Sequence, residues 1–252
     1  MFPIASLAFV GGLMTGSFVG LVAFRLPRGG SIVGPRSACD SCGTQIAAYD
    51  NIPVVSWVLL RGRCRTCDAR IPLRYPLVEL ALGAAFAATA IVLRHDPAEL
   101  ALGLVFVAML AAVTLTDLDR RIIPNRILIA GAVAGVAIAA ATDPSSLPER
   151  GIAAIAAGGL LFAIALAYPR GMGMGDVKLA AVMGLYLGSA VAAALAIAVI
   201  CGAAVGIGTI LVRGAEARKH AVPFGPFLAL GGVIALLAGD QLVSAYLDAF
   251  VH

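Results

Sequence analysis

Four of the five cysteines form two pairs with the same spacing, Cys39 with Cys42 and Cys64 with Cys67. Two such pairs can place four thiolates tetrahedrally around one Zn²⁺. A four-thiolate site has no open ligand position, so we expect the metal to stabilise the surrounding segment rather than to take part in catalysis. The alternative is two disulfides, which a reducing cytoplasmic location would disfavour. The fifth cysteine, Cys201, lies in an apolar run, and we expect it to pack there.

Carboxylates at the edges of apolar runs are the second group of candidate residues. Asp117 and Asp119 follow one long apolar run, and Asp176 opens another. Because a carboxylate at the edge of hydrocarbon is costly to bury, each is a functional candidate. Asp117 and Asp119 would lie about 200° apart around a helix, so they cannot face each other. Each therefore needs a partner from a distant part of the chain.

Asp117 and Asp176 are predicted at similar depth in the membrane, where helix packing could bring them together. Two close carboxylates share a proton, so one can activate water while the other protonates the carbonyl oxygen or the leaving amine. This is the chemistry of aspartic proteases. The structural alternatives are a helix cap at Asp176 and, for Asp117 and Asp119, pairing with nearby arginines, namely Arg120, Arg121 or Arg126.

Three glycines, Gly171, Gly173 and Gly175, precede Asp176. A backbone without Cβ atoms lets an extended peptide approach and form main-chain hydrogen bonds. The glycines therefore favour a peptide substrate at this loop, although the loop alone is a weak signal.

The elements that must position these residues are transmembrane helices. The chain is 61% hydrophobic and 13% charged, with a mean hydropathy of +0.98, and its continuous apolar runs approach the roughly twenty residues that cross a bilayer as a helix. We therefore predict an all-α, polytopic transmembrane helical bundle of about eight spans, at 4–24, 76–93, 98–116, 127–142, 151–168, 179–188, 190–212 and 224–250. The run 179–188 is too short to cross alone, so it is tilted, re-entrant or extended by the residues before it.

The basic residues predict the orientation of the spans. Alternating the spans places 16 of the 18 Lys and Arg residues on one side, which the positive-inside rule identifies as the cytoplasm. The net charge of +4 then follows from topology and does not indicate a nucleic-acid partner, whereas membrane lipid is an expected one. We predict three parts: a first transmembrane helix at 1–24, a small cytoplasmic zinc-binding insertion at 25–75 and a membrane peptidase domain at 76–252.

Further motifs occur in a fixed order along the chain. They are Ser17-Phe18, Arg25-Leu26-Pro27, Tyr49-Asp50-Asn51-Ile52-Pro53, Arg74-Tyr75-Pro76-Leu77-Val78-Glu79, Asp117-x-Asp119, Gly173-x-Gly175-Asp176-x-Lys178 and Pro223-Phe224-Gly225-Pro226. With these motifs the chain resembles the type IV prepilin peptidases, membrane aspartic proteases of the GxGD kind. The resemblance covers most of its length.

The resemblance implies a substrate and assigns roles. Members remove short basic leader peptides from prepilins and pseudopilins, cutting after a glycine at the cytoplasmic face of the inner membrane. The catalytic pair falls on Asp117 and Asp176, with Asp119 in a supporting role. We expect the substrate to bind at Gly173, Gly175 and Lys178.

Many members also methylate the new amino terminus with S-adenosylmethionine, an activity assigned to the first cytoplasmic loop. Here the stretch 28–39 is shorter than in many bifunctional members, and Val19-Gly20 stands where they often have Leu-Asn. Two versions therefore remain open, a peptidase alone and a peptidase that is also an S-adenosylmethionine-dependent N-methyltransferase.

Three other readings compete with a prepilin peptidase. A membrane scaffold could use the cysteine segment to bind a partner and would tolerate Asp176→Asn. A transporter could use the aspartates to carry protons, but it would need polar residues in the middle of its spans, which are nearly absent. A GxGD protease acting on a different membrane substrate stays within the same chemistry.

Overall fold

Long helices form where the sequence predicts apolar spans. A computed structural model describes residues 2–169, 171–213 and 223–250, and within them the only extended pairings are two isolated β-bridges, so the predicted all-α fold is confirmed. The helices are α1 (Phe2–Arg25), the short α2 (Val55–Leu59), α3 (Arg74–Val92), α4 (Pro97–Arg120), α5 (Asn125–Thr142), α6 (Leu147–Ala167), α7 (Met174–Leu187), α8 (Val191–Arg213) and α9 (Gly225–Phe250). Residues 214–222, which join the predicted spans 190–212 and 224–250 and contribute Arg218 and Lys219 to the basic side, lie outside the described residues.

Six helical segments among the described residues are long and apolar enough to cross a membrane. Four of these segments match α3, α4, α5 and α6 closely. The fifth, Pro3–Arg28, consists of α1 and the three residues that follow it. The sixth, Met174–Val212, joins α7 and α8 through a 3₁₀ turn at Gly188–Ala190, and α9 adds a shorter apolar stretch over Gly225–Gly239. The weak run at 179–188 is thus extended by the residues before it, because α7 already begins at Met174.

The chain packs as two compact units, Met1–Arg94 and His95–His252. In the first unit α1 packs along α3. The two backbones approach so closely that a Cβ atom on Gly12 would lie 2.6 Å from the carbonyl oxygen of Leu82. Small residues at such a contact are typical of helices packed in a membrane.

A strained turn between α1 and α3 is held by a buried carboxylate. Val54 has a φ of 62°, which is unfavourable for a β-branched residue, and the N–H of Val55 donates to the carbonyl of Pro53 at 2.6 Å, closing a γ-turn. The N–H of Val54 donates to Glu79 Oε2 at 2.7 Å, and Glu79 is only 8% exposed. A residue on α3 therefore fixes the conformation of a turn far away in sequence.

In the second unit α6 packs along α7, α8 along α9, and α4 against α5, α7 and α9. The centre of the core includes the stacked rings of Phe106 and Tyr186, whose centroids are 4.8 Å apart. Tyr186 donates its hydroxyl proton to the carbonyl of Gly131 at 2.6 Å. The half-buried guanidinium of Arg150 binds Glu99 and the carbonyl of Tyr186. These contacts tie α4, α5, α6 and α7 to one another.

Both ends of α4 are defined by local sequence. At its start Asp96 accepts hydrogen bonds from the N–H groups of Ala98 and Glu99 at 2.9 and 3.1 Å, a standard helix cap. Its end is marked by Arg121, which adopts the left-handed conformation with a φ of 54°. Asp117 consequently falls in the last turn of a well-bounded helix.

Candidate active site and metal centre

The four paired cysteines form one cluster. Their Sγ atoms all lie within 4.8 Å of one another, and those of Cys39 and Cys67 are 3.7 Å apart. None of the four takes part in a disulfide, so the alternative of two disulfides is not what the structure shows. The cluster joins both halves of the segment between α1 and α3.

Two turns of the same design present the cysteines. In the first, the N–H of Cys39 donates to Thr44 and the N–H of Gly43 to Cys39; in the second, the N–H of Cys64 donates to Ala69 and the N–H of Asp68 to Cys64. The residue after each pair is left-handed, with a φ of 71° at Gly43 and 56° at Asp68. An isolated β-bridge closes each turn, and the bridges are Ala38 with Gln45 and Arg63 with Arg70. We call these two turns the first and second knuckle.

The cluster fits a tetrahedral metal ion. With Zn–S bonds of about 2.3 Å, a tetrahedral site has sulfur atoms about 3.8 Å apart, which agrees with the 3.7 Å between Cys39 and Cys67. The four cysteines could therefore hold a metal ion.

Asp117 lies at the carboxyl end of α4 and is 6% exposed. Its Oδ2 atom accepts a hydrogen bond from the backbone N–H of Gly225 at 2.9 Å, and Arg121 supplies a nearby positive charge. Asp119, two residues later, is exposed. The structure thus separates the two acids as the helical geometry predicted, with Asp117 buried and Asp119 exposed.

Asp176 lies in the first turn of α7. Gly173 is the residue that caps this helix, and its N–H donates to Asp176 Oδ2 at 3.3 Å. The helix cap considered as an alternative is therefore present in part, as a long hydrogen bond. Asp176 is half-buried.

Asp117 and Asp176 lie on helices α4 and α7, which contact each other. Asp176 lies within the range of the charge of Asp117, although the two residues are far apart in sequence. Two carboxylates that come into contact can share one proton, and such a pair can act as base and acid on a peptide bond.

The residues predicted to bind substrate surround Asp176. Gly173 is exposed, and a Cβ atom on Gly175 would lie 3.0 Å from the Cβ of Ile123. Lys178 donates from Nζ to Asn125 Oδ1 at 3.1 Å, so its ammonium group links α7 to the start of α5. Their contact with a substrate stays a prediction.

Sequence reasoning gave no functional role to Gly225, although it is the hydrogen-bond partner of Asp117. The available signal was the motif Pro223-Phe224-Gly225-Pro226, in which a glycine stands between prolines just before an apolar run. Spacing alone could not connect this glycine with a carboxylate on a distant helix.

A cavity of about 380 Å³ lies within the first unit, between α1 and the segment that follows it. Its lining includes Met14 and Leu21 together with Arg25, Arg36 and Asn51, and it contains no carboxylate. The guanidinium groups could bind the carboxylate of S-adenosylmethionine, but the lining offers no carboxylate for its positive sulfonium group or for its ribose hydroxyls. The cavity therefore supplies only part of the contacts that S-adenosylmethionine would need.

Similarity to known proteins extends over nearly the whole chain. Residues 10–95 match the family described as Bacterial Peptidase A24 N-terminal domain, and residues 104–207 match the Type IV leader peptidase family. The chain is 36% identical over 276 residues to the prepilin leader peptidase/N-methyltransferase of Aeromonas hydrophila, covering 98% of this chain and 94% of that protein.

Two further relatives carry the same name. The protein of Bacillus subtilis is 36% identical over 244 residues, covering 96% of this chain and 97% of its own length. That of Burkholderia pseudomallei is 35% identical over 263 residues, covering 92% of this chain and 84% of its own length. No solved structure matches the chain. On these matches, the chain belongs to the type IV leader peptidase family, a family of membrane proteases.

Proposed function

We propose that this protein is an aspartic endopeptidase of the cytoplasmic membrane that removes the leader peptides of prepilins and pseudopilins. The observation that supports the proposal is that Asp176, at the start of α7, lies within the range of the charge of Asp117, at the end of α4. It is supported by near full-length similarity to prepilin leader peptidases. In this proposal residues 1–24 are the first transmembrane helix, residues 25–75 form the zinc-binding insertion and residues 76–252 carry the peptidase.

The reaction follows from two carboxyl groups that share one proton. The ionised carboxylate removes a proton from a water molecule as the water oxygen attacks the scissile carbonyl carbon. The protonated carboxyl group donates to the carbonyl oxygen, which gives a tetrahedral diol. As the C–N bond breaks, the carboxyl group that took the proton from water gives it to the nitrogen of the leaving amine, and a hydroxyl of the diol returns its proton to the other carboxylate. The exposed Gly173 leaves room for an extended peptide beside Asp176. Gly175, which packs against Ile123, and Lys178 lie on the same helix and complete the proposed substrate-binding residues.

We assign the metal of the cysteine cluster as one structural Zn²⁺, held by Cys39, Cys42, Cys64 and Cys67. Its four thiolate ligands leave no position for substrate, so it stabilises the segment between α1 and α3.

The relatives' names also include N-methyl transfer, which we propose for this chain on the same similarity. The resemblance implies S-adenosylmethionine as the methyl donor. Because the cavity of the first unit offers no carboxylate for the sulfonium group or the ribose of this molecule, we assign no residue to its binding.

The charge distribution supports a catalytic pair that faces the cytoplasm, since 16 of the 18 basic residues fall on the side predicted to carry both aspartates. Labelling of single cysteines introduced near Arg65 and Gly171 should report the cytoplasm, and labelling near Asp96 and Ser146 should report the opposite side. A site near Gly171 that reports the outside would separate Asp117 from Asp176 and contradict the proposal.

The activity itself is tested with purified protein in detergent or lipid nanodiscs and a full-length prepilin precursor. We expect a shortened product whose new amino terminus is identified by mass spectrometry, and one added methyl group when S-adenosylmethionine is supplied. The matched control is the double variant Asp117→Asn, Asp176→Asn. An unprocessed precursor with correctly folded wild-type protein would refute the peptidase proposal.

A further inference from the structure

We infer that Gly225 is a positioning residue for cleavage, because its backbone N–H and its lack of a side chain together hold the carboxylate of Asp117 in place. This inference rests on the proposed function, since it adds Gly225 to the reaction in which Asp117 takes part. Gly225 is buried at the first residue of α9, far in sequence from α4.

The N–H of Gly225 is available to Asp117 because the other positions at the start of α9 either lack an N–H or donate within the helix. Pro226 has no N–H, and the N–H groups of Phe227 and Leu228 both donate to the carbonyl of Phe224, at 3.0 and 3.1 Å. The remaining donor of this turn is the N–H of Gly225, which has no partner within its own helix. It donates to Asp117 Oδ2 at 2.9 Å, so Asp117 acts as the cap of α9 from another helix.

The absence of a side chain at position 225 is as important as the donor. A Cβ atom there would lie 2.7 Å from Oδ2, 3.1 Å from Cγ and 3.3 Å from Cβ of Asp117. Even the smallest side chain would push the carboxylate away or displace the start of α9. The contact thus requires glycine.

The direction of the Gly225 N–H is fixed by the packing of neighbouring aromatic residues against α8. A Cβ atom on Gly202 of α8 would lie 3.3 Å from the ring of Phe224, and the rings of Phe224 and Phe227 have centroids 6.4 Å apart. The aromatic residues on either side of Gly225 and Pro226 therefore anchor the turn against α8. Asp117 accepts from a donor that is itself held in place.

The hydrogen bond also limits where the shared proton can be. A backbone N–H can only donate, so it occupies one of the two lone-pair sites of Asp117 Oδ2 and excludes the shared proton from that site. Gly225 would thereby orient the carboxylate and leave Oδ1 available to water or to Asp176.

The first test compares two substitutions on the same helix. Gly225→Ala should lower kcat by about 100-fold with little change in KM, because displacing a catalytic group by about 1 Å has that effect. The matched control is Gly232→Ala, whose added Cβ would meet only side chains of the core, at 2.9 Å from Leu110 and 3.1 Å from Met183. This control should keep most of its activity even where its melting temperature falls.

The second test measures the contact without using activity. Gly225→Ala should lower the melting temperature in the wild-type background, and most of this loss should disappear in an Asp117→Ala background, where the carboxylate is absent. The loss caused by Gly232→Ala should be the same in both backgrounds. Such a double-mutant cycle reports the coupling of residues 225 and 117.

The outcomes separate this inference from the proposed function. If wild-type protein cleaves and Asp117→Asn does not, but Gly225→Ala and Gly232→Ala are equally active, the positioning role is wrong while the peptidase proposal stands. If wild-type protein does not cleave, the peptidase proposal fails and the positioning role in cleavage fails with it. Equal thermal losses for Gly225→Ala in both backgrounds would overturn the contact itself.

Discussion

The cysteine cluster and the aspartate pair are built in opposite ways. The cluster is formed by two short knuckles, each closed by hydrogen bonds between residues five or fewer positions apart, as in Gly43 with Cys39. The aspartate pair depends on the ends of three helices, because Asp117 lies on α4, Asp176 on α7 and their neighbour Gly225 on α9. In the cluster, local backbone geometry sets the positions of the ligands. In the pair, the packing of the helices sets them.

This difference predicts different consequences of mutation. A site made by local turns and completed by a metal should lose its fold when a ligand is lost, since the metal supplies folding energy. A site held by a helix framework should lose its chemistry and keep its fold. The following predictions test that contrast.

The largest effect is expected at the aspartates. Asp117→Asn and Asp176→Asn should each lower cleavage on the order of 10³-fold or more, and the double variant should be little worse, because the residues act as a unit. Asp119→Asn, at an exposed position, should be much milder. Cleavage of a prepilin by each purified variant measures this, with zinc content and melting temperature close to wild type as the control. An inactive Asp119→Asn beside an active Asp117→Asn would show that the pairing is wrong.

The next effect concerns the metal ligands. Wild-type protein should contain one zinc per chain, and Cys→Ser at Cys39, Cys42, Cys64 or Cys67 should lower metal content and make the segment between α1 and α3 sensitive to proteolysis. Cys201→Ser, which removes a thiol from α8, is the matched control and should keep its zinc. Elemental analysis with limited proteolysis gives both readouts. A wild-type protein purified without chelators and without metal would contradict the zinc assignment.

A smaller effect is expected at the strained turn, where a contact between residues far apart in sequence occurs near the locally built knuckles. Glu79→Ala should destabilise the protein by about 2 kcal/mol, because the N–H of Val54 loses its acceptor. Glu79→Gln keeps an acceptor and should cost less. Val54→Gly should be neutral or stabilising by up to about 1 kcal/mol, since it relieves an unfavourable backbone conformation. Thermal unfolding in detergent compares the three variants, and equal losses for Glu79→Ala and Glu79→Gln would contradict this role.

The smallest effect should distinguish the two knuckles. Gly43 and Asp68 occupy equivalent left-handed positions, and a Cβ at Gly43 would meet no neighbouring atom. Gly43→Ala should therefore destabilise by about 1 kcal/mol through the backbone alone, whereas Asp68→Gly should stabilise by about 0.5 kcal/mol. The rate of zinc loss to a chelator reports both changes. Loss rates that change in the same direction would show that the knuckles are not equivalent.

The features that could be predicted are those determined by residues close together in the sequence. The spacing of the cysteines predicted their cluster, and hydrophobic runs of sufficient length predicted the long helices. For the short run 179–188 the sequence left three alternatives, and the structure shows extension by the residues before it, because α7 begins at Met174 with Gly173 as its cap and Gly175 in its first turn. Glycine at such positions is compatible with a helix start.

The parts that could not be predicted depend on three-dimensional packing. The positive φ of Val54 has no sequence signal, since it is a β-branched residue held by Glu79 on another helix. The partnership of Gly225 and Asp117 is similar, because it appears only when α4 and α9 are packed together. The separation of Asp117 from Asp119 was predictable, because it follows from the period of one helix.

The contact between Gly225 and Asp117 has a consequence for synthesis. The ribosome produces α4 and α7 well before it reaches residue 225, so a nascent chain can already contain both aspartates while the donor for Asp117 does not yet exist. Only insertion of α9 supplies the N–H that orients this carboxylate. Synthesis of α9 therefore completes the site, and a nascent chain that lacks this helix also lacks the ordered carboxylate of Asp117.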